Sequence, residues 1–204
     1  MPRLGVVDYG MGNLRSVLNA LEEIDQDAAL IAAPDAVAAC EKIIIPGVGA
    51  FAEAMAHLKD CGMAEALQIH VAAGKPLLGI CLGMQLICRK SYEDGEHEGL
   101  GWIDAEVRHF PPQPGLKVPH MGWNAVEFEH GHPLLHDVAE GADVYFVHSY
   151  YVDCAEAGDS LGVTEHGIRF TSMVGHDNVY GMQFHPEKSQ HVGMQLLRNF
   201  ATLQ

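Results

Sequence analysis

The sequence predicts an α/β protein with a mostly parallel central sheet, helices on both faces and added antiparallel strands. Three observations lead there. Apolar runs of strand length alternate with segments of helical spacing, Gly and Pro punctuate the junctions, and the early runs are apolar throughout, as strands buried on both faces must be. Residues 3–8 read as the first buried strand, and Asn13 then caps a helix whose Leu14, Val17, Leu18 and Leu21 share one face. A second strand is expected at 27–32 and a third at 42–45, stopped by Pro46-Gly47. Alanine-rich helical sequence runs from about Ala50 to the breaker Gly74-Lys75-Pro76, after which 77–80 is again a strand.

The texture changes after Ser91. Ile103, Ala105 and Val107 alternate with Asp104, Glu106 and Arg108, as in a strand with one wet face. Pro111 to Gly115 is a loop, and further strands are expected near 124–128, 143–152, 161–165, 170–174 and 179–184. A last helix follows Ser189 and buries Val192, Leu196, Leu197, Phe200 and Leu203. No repeat or linker divides the chain, so residues 1–204 are expected to form a single domain.

Composition narrows the function. Acidic residues outnumber Lys plus Arg by 27 to 12, a formal charge of −15 with no basic stripe, which argues against nucleic acid or an anionic membrane as partner. The apolar start ends at Asp8 and no run reaches spanning length, so a cytoplasmic protein is expected. Five cysteines without a Cys-x-x-Cys pair point to reduced thiols, one of which could be chemical.

The sharpest local signal is Gly79-Ile80-Cys81-Leu82-Gly83, between a buried strand and the helical sequence 84–88. A sharp strand-to-helix turn strains its central residue and leaves its flanks no room for side chains, hence the glycines. Cys81 then stands at a helix N-terminus, where unpaired N–H groups favour the thiolate that attacks. An isolated cysteine in such a turn is usually structural; a base elsewhere changes that balance. The candidate is His185 in Gln183-Phe184-His185-Pro186-Glu187. Pro186 biases His185 to an extended conformation, so that Glu187 can reach the ring, fix its tautomer and stabilise the imidazolium. Backbone donors for an oxyanion are available at Leu82 and in the turn Pro46-Gly47-Val48-Gly49. Cys88 is assigned to packing on the same helix face.

Rival chemistries fit less well. Gly10-Met11-Gly12 hints at a dinucleotide loop, but Arg15 stands where the third glycine belongs. His130, His132 and His136 lack the spacing of zinc enzymes and read as solvated surface, and His185-Pro186-Glu187 has no Pro-Cys-x-x-Cys after it. Neither a metal nor a cofactor is expected.

The elbow and the distant His-x-Glu resemble class I glutamine amidotransferases. More closely, Asp8 to Asn13, Pro46 to Phe51, Lys117 to Asn124 and Tyr145 to Tyr150 are similar to the glutaminase subunits of imidazole glycerol phosphate synthases, nearly end to end. The resemblance implies a flavodoxin-like core and a role in histidine biosynthesis. It implies hydrolysis of glutamine through a cysteine thioester, with ammonia passed to a (β/α)-barrel cyclase subunit that forms imidazole glycerol phosphate and AICAR. It also implies Cys81, His185 and Glu187 as the triad, Gly47 and Val48, beside the Leu82 N–H already named, around the oxyanion, and Gln85, Glu93, Ser149 and Tyr150 around glutamine. Asn13, Met121, Trp123, Tyr145 and Lys188 would face the cyclase or guard the exit of ammonia. Two alternatives stay open: the glutaminase component of another class I amidotransferase, and a binding module that kept the fold without the activity.

Overall fold

The computed structural model describes residues 4–203. In chain order its elements are β1 (Leu4–Val7), α1 (Leu14–Glu23), β2 (Ala28–Ile31), α2 (Pro34–Val37), β3 (Lys42–Gly47), α3 (Phe51–Asp60), α4 (Met63–Ala72), β4 (Leu77–Cys81) and α5 (Leu82–Leu86). There follow β5 (Cys88–Ser91), β6 (His97–Glu98), β7 (Ile103–His109), β8 (His120–Phe128), β9 (Ala142–His148), β10 (Tyr150–Cys154), β11 (Ser160–His166), β12 (Ile168–His176), β13 (Val179–Met182) and α6 (Gln190–Thr202).

The five strands β2-β1-β3-β4-β13 lie parallel in that order. Because successive side chains point to opposite faces, the apolar runs split between two cores. Leu4, Val6, Ile44, Leu78 and Ile80 pack under α1 and α6, while Val7, Ile43, Ile45 and Leu77 pack under α3, α4 and α5. From β13 the sheet continues antiparallel through β12, β10 and β7, and a branch of β11, β8 and β9 hangs from β12. Among the described residues no helix is long and apolar enough to cross a membrane.

Several expected boundaries move. The strand expected at 3–8 is β1, with Arg3 outside the described residues. The single helical stretch from Ala50 is two helices, broken at Gly62 with φ +74°. The strand expected at 143–152 is two, β9 and β10, meeting at Ser149. The helix after the elbow ends at Leu86, and Cys88 opens β5, so Cys88 and Cys81 share no helix face; Cys88 is nevertheless fully buried. Nor does Asn13 cap α1 with its side chain; its Oδ1 accepts instead from the Ser16 hydroxyl at 2.8 Å. His132 is not merely solvated surface: its Nδ1 accepts the Leu134 N–H at 3.1 Å and starts a short 3-10 turn.

Candidate active site

The end of β4 makes the predicted turn. Cys81 has φ 54° and ψ −108°, a left-handed backbone that a residue with a Cβ adopts only under constraint. The constraint is the packing around it. A Cβ on Gly83 would run into the Ile45 carbonyl and one on Gly79 into the Gly83 carbonyl. Close approach of α5 to the strands below it therefore requires both glycines. Gly47 lies beside Cys81 in the β3–β4 register, and a side chain there would meet Leu82 Cβ and Tyr9 Oη at 2.8 Å.

Above the turn, Val48, Gly49, Cys81, Leu82, Gln85, Glu93, Val147, His148, Ser149, Tyr150 and His185 line a cleft of about 340 Å³. Apart from Gly47, which lies beneath the turn, and Glu187, which stands behind the imidazole, this gathers the residues expected at the oxyanion, the substrate and the triad. His185 Nδ1 is 2.7 Å from Glu187 Oε1, with the two side chains 2% and 0% exposed. The ring's other nitrogen is buried without a hydrogen bond of standard geometry, and the cleft joins it to Cys81. Burial alone would lower the His185 pKa, but interaction with Cys81 and with Glu187 outweighs it and raises the value to about 9. The backbone fixes the segment independently: His185 N–H donates to Tyr145 O at 2.9 Å, and the Ser189 hydroxyl donates to His185 O at 2.6 Å while accepting Tyr145 N–H at 3.0 Å.

Glu93, expected beside glutamine, also accepts the Phe51 N–H at 2.5 Å, tying the cleft wall to the first turn of α3. Tyr150 O receives two donors. One is Gln85 Nε2 at 3.2 Å and the other is His148 Nδ1 at 2.7 Å. A carbonyl only accepts, so His148 carries its proton on Nδ1 and its Nε2 accepts from His120 Nδ1 at 2.9 Å; Asn124 Nδ2 then donates to His120 Nε2 at 3.2 Å. Both rings are held neutral. Burial, then the neighbouring His166, lowers His120 to about 4; burial and the surrounding histidines lower His148 to about 3 despite its bond to Tyr150.

The residues expected at the partner face lie outside the cleft. Met121 is 62% and Trp123 49% exposed, which excludes a core role for the indole, and its ring meets Tyr145 edge-on at 5.9 Å. Trp123 and Lys188 border a groove of about 1210 Å³ that runs on the far side of Glu187. Asn13 is half-buried and turns inward, its Nδ2 3.4 Å from Glu187 Oε1. The sequence reading missed Gln183 and Ser189. The signal for Gln183 was available: it stands two residues before His185, at the end of the strand expected at 179–184, where alternation would put the two on one side of the chain.

The family profile for class-I glutamine amidotransferases matches residues 5–203, and the chain belongs to that family. Within it, the chain is 48% identical over 200 residues to imidazole glycerol phosphate synthase subunit HisH of Sulfurimonas denitrificans, covering 97% of this chain and 96% of the relative. It is 46% identical to the same-named subunit of Caldanaerobacter subterraneus subsp. tengcongensis, with 98% of each chain covered. The fold is also that of PurLQS from Thermotoga maritima, with TM-score 0.76, 18% identity and coverage of 98% and 97%. A putative GMP synthase component from Thermoplasma acidophilum superposes at TM-score 0.75 with 20% identity, covering 98% of this chain and 92% of that one.

Proposed function

We propose that the chain is the glutaminase subunit of imidazole glycerol phosphate synthase, a single cytoplasmic amidotransferase domain that supplies ammonia to a cyclase subunit. The observation that carries the reading is the meeting of the strained Cys81 with the buried His185–Glu187 pair in one cleft, on a chain whose curated relatives bear the HisH name.

In the proposed reaction His185 Nε2 takes the thiol proton of Cys81, and Glu187 balances the imidazolium. The sulfur attacks the side-chain carbonyl carbon of glutamine, held by Gln85, Glu93, Ser149 and Tyr150. The carbonyl oxygen becomes an oxyanion facing the N–H of Leu82, one of the unpaired donors that begin α5, and the backbone of Gly47 and Val48. Collapse breaks the carbon–nitrogen bond while His185 returns the proton to the leaving nitrogen, which departs as ammonia. Water then attacks the thioester with His185 as base, releasing glutamate and the free thiol. Ammonia leaves toward the rim of Met121, Trp123, Tyr145 and Lys188, where Asn13 lies behind Glu187, and the cyclase subunit docks there. The test is a glutaminase assay with and without a cognate cyclase subunit. Glutamate formation that the cyclase stimulates, and glutamine-dependent cyclase turnover in the mixture, are expected; an inert mixture would overturn the reading.

A further inference from the structure

The side chains behind the sulfur form a line whose direction can be read from one end. Tyr150 O only accepts, so the Gln85 group facing it at 3.2 Å is the NH2, and the other hydrogen of that NH2 goes to Gln183 Oε1 at 3.1 Å. With its oxygen engaged there, Gln183 turns its own NH2 toward Cys81, and Nε2 stands 3.8 Å from Sγ. Gln183 is fully buried, so no rotation into solvent competes with this arrangement. Val147 O stands 4.0 Å from the sulfur, an acceptor that suits the thiol and not the thiolate.

We infer that Gln183 is a further residue of the catalytic site: its side-chain N–H is the fixed donor that holds the sulfur as thiolate, and Gln85 is the positioning residue that decides which end of Gln183 faces the sulfur. The inference rests on the reading of Cys81 as the nucleophile. The physical reason is the two-ended nature of an amide. Turned one way it offers a thiolate a hydrogen bond, and turned the other way it offers a carbonyl oxygen; in a buried site that difference is not screened by water. Pinning Oε1 of Gln183 on Gln85, itself pinned on a backbone carbonyl, removes the wrong orientation before any substrate arrives.

The experiment is alkylation by iodoacetamide, a small neutral electrophile, followed by peptide mass spectrometry. It compares the unmodified chain, Gln183→Met, which keeps length without the donor, and Gln183→Glu, which keeps an acceptor for Gln85 and sets an oxygen against the sulfur. Cys61 is exposed and serves as reference within each sample. At about pH 7 the Cys81 rate is expected to fall about 3–10-fold in Gln183→Met and further in Gln183→Glu, with the Cys61 rate constant; at about pH 10 the gap between Gln183→Met and the unmodified chain narrows. Gln85→Leu, which frees Gln183 to turn over, is expected to give a smaller fall in the same direction. Equal Cys81 rates at about pH 7 in all variants, or an equal loss at both pH values, would overturn the inference, the second outcome marking a packing defect. If instead Cys61 reacts in the unmodified chain while Cys81 does not, the reading of Cys81 as nucleophile fails.

Discussion

Glu187 Oε1 lies 2.7 Å from His185 Nδ1, and neither side chain reaches solvent. A carboxylate sealed against an imidazole fixes the ring's tautomer and favours its charged form. Glu187→Gln is therefore expected to reduce kcat for glutamine hydrolysis by about 10²–10⁴ while KM changes little, because the carboxylate does not line the substrate cleft. Steady-state kinetics would decide, and a kcat within about tenfold of the unmodified chain would remove Glu187 from the mechanism.

The same pair has a consequence for stability against pH. His185 is raised to about 9, so its stabilising contribution is complete below the unfolded value near 6.5 and is lost as pH rises through about 9. His120 and His148, lowered to about 4 and about 3, act in the other direction: the fold loses stability as pH falls from about 6.5 toward those values, since only the unfolded chain takes up the protons there. Melting temperature plotted against pH should fall on both sides of the neutral range. His185→Ala should flatten the alkaline limb, and an alkaline limb identical in both proteins would contradict the assignment.

Cys81→Ala and Cys81→Ser are expected to abolish glutamine hydrolysis and leave the fold intact, because the side chain is small, lines the cleft at the margin of one core, and either replacement removes or changes a single atom there. A glutamine-mimicking electrophile should label Cys81 alone. Burial pushes the Cys88 thiol well above its usual range and that of Cys154 to about 11, so neither offers a thiolate near neutrality. Mass spectrometry that found either of them labelled would move the site.

At the partner face, Trp123→Ala combined with Lys188→Ala is expected to weaken binding of the cyclase by at least about tenfold, since exposed aromatic anchors carry much of an interface's energy. Unchanged affinity in calorimetry would show that the cyclase docks elsewhere.

The turn after β3 suits a switch. Gly49 holds φ +106°, and a side chain there would press on Met11 Cε at 2.6 Å. Glycines on both sides of Val48 let the intervening peptide rotate, so that either an N–H or a C=O faces the oxyanion. The isolated chain is thus expected to be a poor glutaminase, stimulated by about 10²–10³ when the cyclase and its nucleotide ligand bind, the value of one oxyanion donor. Gly49→Ala should blunt that stimulation. Equal rates for the chain alone, with the cyclase and with cyclase plus ligand would eliminate the switch.

The sequence by itself determined the parallel core, the elbow and the approach of Glu187 to the His185 ring. Each depends on contacts close along the chain: strand-length apolar runs, glycines that only a tight strand-to-helix turn requires, and a proline that fixes the residue before it. It also contained the alternation that puts Ile103, Ala105 and Val107 in the core. The tertiary structure decided what depends on residues far apart in sequence. It split 143–152 at Ser149, turned the Asn13 side chain toward Glu187 and left Trp123 on the surface. It also arranged two runs of hydrogen bonds that meet at the Tyr150 carbonyl: Asn124, His120 and His148 donate in turn toward it from one side, and on the other Gln85 donates both to it and to Gln183, whose NH2 faces the sulfur. The periodicity of a chain reports which face of an element is apolar, and says nothing of which buried polar group will meet which. That choice is made only when the strands are side by side, because an unpaired buried donor or acceptor costs on the order of 1–3 kcal/mol and the fold that pairs them wins.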